Sequence, residues 1–408
     1  MRMKAIITPL LIAASVCRLF AAEPVKSDGF TDSIDRSDPN FVTASLLVMS
    51  PGDELYSCAG HSVLRLECPT FNLDYCFSYE SESVKHKIIS FFRGKLKMGM
   101  FAIPTEEYLN LGRESGRGIM QYRLNLPADA KQRLWELLDK KVAEGPLLAY
   151  DYMERGCAQA AMKVLREAIS PYELVVRPWP KEYEYWARSE FLAAATTAYP
   201  WQQIILYTIC GATTDDDMPK FHKVVIPRDL LTVLKLASIN GTSVIEGDGE
   251  ELLPVKGITT KPFCTPLGVS ILLAAVAVAN CFLKFVWIDW SFLAFQSLLG
   301  FFLTYMVCFS NLTAMGWNWL IVPFNLLPLI FWKWRTKWAL WFAGLLLLWE
   351  IGMIAYPHRL TDPAYLVLVA AYIVFYCKVA FGSEKFNLAI SRWADGFLPK
   401  AIRWLDNV

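Results

Sequence analysis

FVTASLLVMSPGDELYSCAGHSVLRLE, from Phe41 to Glu67, is the stretch on which the fold turns. Its first part, Phe41–Met49, is apolar with β-branched residues, which predicts a buried strand. SPGDE (Ser50–Glu54) is a turn. His61–Glu67 alternates, with Val63 on one face and Leu64 and Leu66 on the other, so a strand opens on His61. NLDYCFSYE (Asn72–Glu80) predicts a second short strand antiparallel to it. Two helices follow. Ala128–Gly145 carries Leu134, Leu137, Leu138 and Val142 at helical spacing and ends on glycine. The second begins at Cys157 and stops before Pro171. Strands and helices come in separate runs rather than alternating, so the class is α+β.

Outside this stretch the composition is uneven. Hydrophobic residues make up 54% of the 408, with 15 Trp, and net charge is +1. That charge leaves no broad electrostatic footprint for nucleic acid. The N-terminus has a basic start (Arg2, Lys4), a short apolar run (Ala5–Val16) and small residues at Ala21 and Ala22. This is an export signal over residues 1–22, with an uncleaved anchor as the alternative. Cys17 follows Val16, not the small residue a lipobox needs. Residues 23–261 read as a globular domain.

Residues 262–381 read as a membrane domain of about five helices. The apolar runs are Pro262–Leu283 and Trp290–Trp332 (divided in two by Ser310–Asn318), both uncharged, then Trp338–Pro357, with Glu350 toward its outer end, and Pro363–Phe381, where Lys378 sits near the end and is expected to snorkel. Lys333, Arg335 and Lys337 fill one loop, and Lys385, Arg392, Lys400 and Arg403 the tail, while Ser310–Asn318 has no basic residue. Basic segments face the cytoplasm. An odd number of spans then puts residues 23–261 outside the inner membrane, in agreement with the export signal. Residues 382–408 suit an amphipathic tail on the inner leaflet.

The chemistry available is that of a thiol. Cys58, Cys68, Cys76, Cys157 and Cys210 lie in the exported domain, with Cys264 at the membrane edge. An oxidising compartment favours pairing among exposed thiols, and the odd count leaves one free, for which Cys157 is the candidate. At a helix N-terminus the unpaired N–H groups favour thiolate and can hold an oxyanion. His61 supplies a base if its strand packs beside that helix start. Cys58 precedes His61 on one turn and faces it poorly. His86 and His222 lie in charged stretches and His358 at a membrane end, so no metal-ligand set assembles and no cofactor is implied. On the residues alone, a separated His and Cys favour the structural reading over the catalytic one.

Four blocks, Met49–Leu66, FFRGKL (Phe91–Leu96), GRGIMQYRLNL (Gly116–Leu126) and YDYMERGCAQAAMKVL (Tyr150–Leu165), resemble the Bacteroides-type lipoprotein N-acyltransferase family. The resemblance implies a permuted papain-like (NlpC/P60-like) domain followed by membrane helices. It implies Cys157 and His61 as the catalytic pair, with Tyr56 and Arg117 at matching positions. The family often has asparagine before the cysteine, where Gly156 stands here. It often has Asn-Tyr-Gly where Ser78-Tyr79-Glu80 stand, so the group that orients the histidine is expected to be Ser78, Glu80 or a backbone carbonyl. The implied partners are a phospholipid acyl donor, a diacylglyceryl apolipoprotein acceptor and the bilayer. The alternatives are a peptidoglycan cysteine peptidase or amidase, and a non-catalytic membrane scaffold.

Overall fold

A computed structural model of the chain describes residues 38, 40–82, 86–145, 148–151, 155–183, 186–215, 224–256, 263–356 and 362–382. The leader (1–22), His222, His358 and the tail beyond Gly382 lie outside the described residues.

The exported part is built on a seven-stranded antiparallel sheet. Its strands are β1 (Thr43–Met49), β2 (His61–Cys68), β3 (Leu73–Ser81), β4 (Lys97–Pro104), β5 (Ile119–Leu124) and β6 (Leu148–Ala149). A small sheet, β7–β9 (Leu174–Val176, Ala237–Ile239, Thr242–Ser243), precedes β10 (Ile245–Leu253). The strand order is β10-β5-β1-β2-β3-β4-β6. The helices here are α1 (Ile88–Phe92), α2 (Thr105–Ser115), α3 (Ala128–Glu144), α4 (Cys157–Ile169), α5 (Arg188–Thr196), α6 (Pro200–Ile209) and α7 (Pro227–Leu236).

Both faces of the sheet are covered, which is why its central strands are apolar on both sides. Leu46, Leu64, Leu66 and Phe77 face a core with Leu134 and Leu138 of α3, Leu165 of α4 and Leu230 of α7. Leu47, Val63, Cys76 and Ile119 face the other way, onto Tyr108 of α2. The alternation expected of β2 is thus observed residue by residue. Helix α4 buries Ala158, Ala161, Met162, Leu165, Ala168 and Ile169, one continuous stripe at i, i+3, i+4 spacing.

Among the described residues, four helices are long and apolar enough to cross a membrane: α8 (Pro266–Leu283), α9 (Val286–Phe309), α10 (Arg335–Ala355, with a preceding turn from Trp332) and α11 (Pro363–Phe381). The fifth expected helix is not formed. Residues 319–334 instead run the length of the bundle as short turns and irregular chain. At one end Trp349 donates to the Trp319 carbonyl at 2.9 Å. Midway Gln296 donates to the Pro323 carbonyl at 2.7 Å, and Asn325 backbone lies against Gly300, with no room for a Cβ. At the far end the Trp332 ring meets Trp290 and Phe375. Pro323 and Pro328 each remove a helix donor, and the Asn325 side chain donates to the Val322 carbonyl and accepts from Leu327 N–H. Irregular backbone at membrane depth is tolerated where protein surrounds it and pairs its polar groups.

Lys378 does not snorkel. It is buried and pairs with Asp289 of α9 at 2.7 Å, while Asn280 of α8 donates to the same carboxylate oxygen. Lys284, Lys333, Arg335, Lys337 and Lys378 all gather at this end of the bundle.

The exported domain sits on the other end. Gly211 N–H donates to the Ala314 carbonyl at 2.6 Å, Asn318 donates to the Thr208 carbonyl at 2.8 Å, and Asn311 N–H donates to the Arg93 carbonyl at 3.2 Å. Leu312, Ala314 and Met315 are buried in the domain's own core. The uncharged loop Ser310–Asn318 is therefore mostly built into the domain, with Trp317 left exposed.

Candidate active site

The site lies where the start of α4 meets the start of β2. Register places Val63 opposite Ser78, so His61, Ser78 and Glu80 share one face at the paired ends of β2 and β3. His61 Nε2 and Ser78 Oγ are 2.8 Å apart. Ser78 donates its proton to Glu80 Oε1 at 2.7 Å. Ser78 must then accept from His61, which puts the ring proton on Nε2 and leaves Nδ1 free to act as a base. The orienting group is thus a pair in series: Ser78 touches the ring and Glu80 holds Ser78. Both stood as candidates in the sequence, and the structure brings Ser78 to the ring and Glu80 to Ser78.

Cys157 is the first residue of α4, the end of the helix at which the N–H groups have no acceptor within the helix. His61 and Cys157 are within hydrogen-bonding reach of each other. Ser62 supports the sulfur too, with its backbone N–H and with its hydroxyl at 3.7 Å. Burial pushes the Cys157 thiol up. The charge and hydrogen bond of His61, with the bonds from Ser62, outweigh it and bring the thiol down to about 7. Burial likewise pushes His61 down, but the Cys157 charge and hydrogen bond and the Glu80 carboxylate together raise it. Each group favours the charged form of the other, the state in which a thiol is nucleophilic at neutral pH.

Gly156 caps the helix without a side chain. Its N–H donates to Gln159 Oε1 at 2.8 Å, the returning half of a capping box. Arg117 donates from Nε to the Ser50 carbonyl at 2.6 Å, while its Nη2 is buried without a partner. Its charge reaches both His61 and Cys157. Tyr56 is not brought to the sulfur. It stands 75% exposed on the preceding turn, bonded to Glu54.

Ser62 was missed by sequence reasoning, and its position beside His61 at the opening of a strand was the available signal. The other cysteines are not rivals. Cys58 is buried, donates to the Leu55 carbonyl, and burial raises it to about 11. Cys76 is buried and raised to about 12. The expected pairing among the remaining thiols is not found: Cys58, Cys68, Cys76, Cys210 and Cys264 are all free, four of them enclosed in the core.

Residues 30–187 match the family described as the Lnb N-terminal periplasmic domain. That span takes in Cys157, His61, Ser62, Ser78, Glu80 and Arg117. The match supports the family resemblance read from the four blocks, and it stops short of α5–α7 and the membrane helices. No curated protein and no solved structure matches the chain.

Proposed function

We propose that the chain is an N-acyltransferase that completes bacterial lipoproteins at the outer face of the inner membrane, through a permuted papain-like site. The observation that carries this is the line Glu80, Ser78, His61, Cys157, in a domain that matches the Lnb periplasmic domain and is fused to a membrane bundle.

The Cys157 thiolate attacks the ester carbonyl carbon of a phospholipid. The tetrahedral oxyanion sits on N–H groups at the start of α4. Collapse breaks the ester C–O bond, and the His61 imidazolium protonates the departing glycerol oxygen. A lysophospholipid leaves and Cys157 carries the acyl group as a thioester. The α-amino group of a diacylglyceryl cysteine then attacks that carbonyl while neutral His61 takes its proton. Expulsion of the Cys157 thiolate forms the amide and restores the ion pair. Thioester to amide is downhill, so no nucleotide is needed. Throughout, Ser78 and Glu80 hold the imidazole with Nδ1 toward sulfur. Both substrates are lipids, which accounts for a thiol domain mounted on membrane helices. A peptidoglycan peptidase would need no such mounting.

The test is the mass spectrum of a mature lipoprotein N-terminus from a strain that depends on this gene. Cys157→Ala and His61→Ala are each expected to leave the α-amine free. Full N-acylation by the Cys157→Ala protein would refute the mechanism.

A further inference from the structure

Helix α1 and the start of β4 take no part in the chemistry above, yet they expose an unusual surface. Ile88 is 45% exposed and Ile89 65%. Around them lies an open groove lined by Lys87, Ser90, Lys95 and Lys97, with Glu82 at its edge. From His86 to Thr105 the chain carries Lys87, Arg93, Lys95 and Lys97 and no acidic residue. Glu82 pairs with Lys87 at 2.6 Å and accepts from the Lys97 backbone N–H.

The depth of this surface follows from its contacts. The Phe92 ring lies 5.4 Å from the Phe302 ring of α9, centroid to centroid. Phe302 is two turns inside the domain-side end of that helix, about 10 Å along its axis. Gly94 lies directly against the Asn311 backbone at the same end. So α1 is set beside the bundle about two turns from its domain-side end, where Phe301 and Phe309 of α9 are exposed as well. Inward, the Phe91 ring lies 6.2 Å from the Tyr150 ring, and Tyr150 N–H donates to the Leu96 carbonyl at 2.6 Å. The buried Tyr150 phenol is pushed up by burial and by its nearness to Cys157.

We propose that α1 and the start of β4 form the port through which a phospholipid leaves the domain-side leaflet for Cys157. Ile88 and Ile89 enter the acyl layer, Lys95 and Lys97 meet the headgroup phosphate, and Phe91 and Tyr150 line the way in. Apolar insertion combined with basic residues is the usual physical basis of interfacial attachment. The port rests on the acyltransferase reading for its purpose, but not for its detection.

The test uses the full chain in vesicles of phosphatidylethanolamine and phosphatidylglycerol. A photoreactive benzoylphenylalanine replaces Ile89 or, as control, the exposed Phe71 at the opposite end of β3. Lipid is expected to crosslink at position 89 and not at 71. No lipid at 89, equal capture at both positions, or capture of a protein at 89 would overturn the port. The double variant Ile88→Ser, Ile89→Ser is expected to raise KM for vesicle phospholipid at least about tenfold. Its Cys157 should alkylate at the wild-type rate, showing an intact site, and an unchanged KM would refute the proposal. Lipid capture at 89 in a chain that transfers no acyl group would keep the port and reject the transferase.

Discussion

Ser78 carries more consequence than its size suggests, because it is the atom between His61 and a carboxylate. Ser78→Ala is expected to lower kcat by roughly 10²-fold with KM little changed, since the imidazole loses its held orientation rather than its substrate. Iodoacetamide alkylation of Cys157, read by peptide mapping, tests the pairing directly. The thiolate is the reactive form, so a lowered pKa moves the inflection down, to about pH 7. In His61→Ala burial is left largely unopposed, and the inflection should move above the ordinary cysteine value of about 8.5. An unchanged profile would refute the ion pair. At this scale the sequence was informative about residue type and less so about contact. Cys157 and His61 could be named from a helix start, a strand start and the family blocks. That Ser78 and Glu80 act in series depends on strand register and side-chain reach, which residue spacing does not report.

Among elements, the junction of domain and bundle is where single atoms decide most. A Cβ on Gly211 would lie 1.9 Å from the Gly316 carbonyl oxygen, a backbone atom that cannot step aside. Gly211→Ala is therefore expected to destabilise the assembled protein by about 2 kcal/mol or more, measured as a lower Tm in detergent. Gly156→Asn is the contrasting case. Its new Cβ would meet only the end of the Gln159 side chain, which can rotate away while asparagine takes over the cap. Its Tm should stay within a degree or two of wild type, and a large loss would show that Gln159 is indispensable to the helix start. The elements themselves were legible. β1–β3, α3 and α4 formed where periodicity placed them, because each buries an unbroken apolar stripe. The junction was not legible, since Ser310–Asn318 reads as a polar loop until a domain is seen to close around it.

For the whole molecule, the notable departure is the third expected span, which is not one long helix. Residues 319–332 carry no charge, and that lack of charge was the property read from them. Pro323, Asn325 and Pro328 carried the contrary signal, but only packing against Gly300 and Gln296 shows that the irregular chain is sheltered. If residues 319–334 cross the membrane as a fifth pass, a green fluorescent protein fused at the C-terminus should fluoresce, and alkaline phosphatase fused there should be inactive. The reverse result would mean that residues 319–334 do not cross. Locking the 310–318 loop into the domain core has a further consequence. The thiol is mounted like a tool at a set standoff from the bilayer, not swung on a tether. On the proposed reading, acceptors are then gauged by the height at which their lipid holds the amine, and the polypeptide trailing behind that amine can be almost anything.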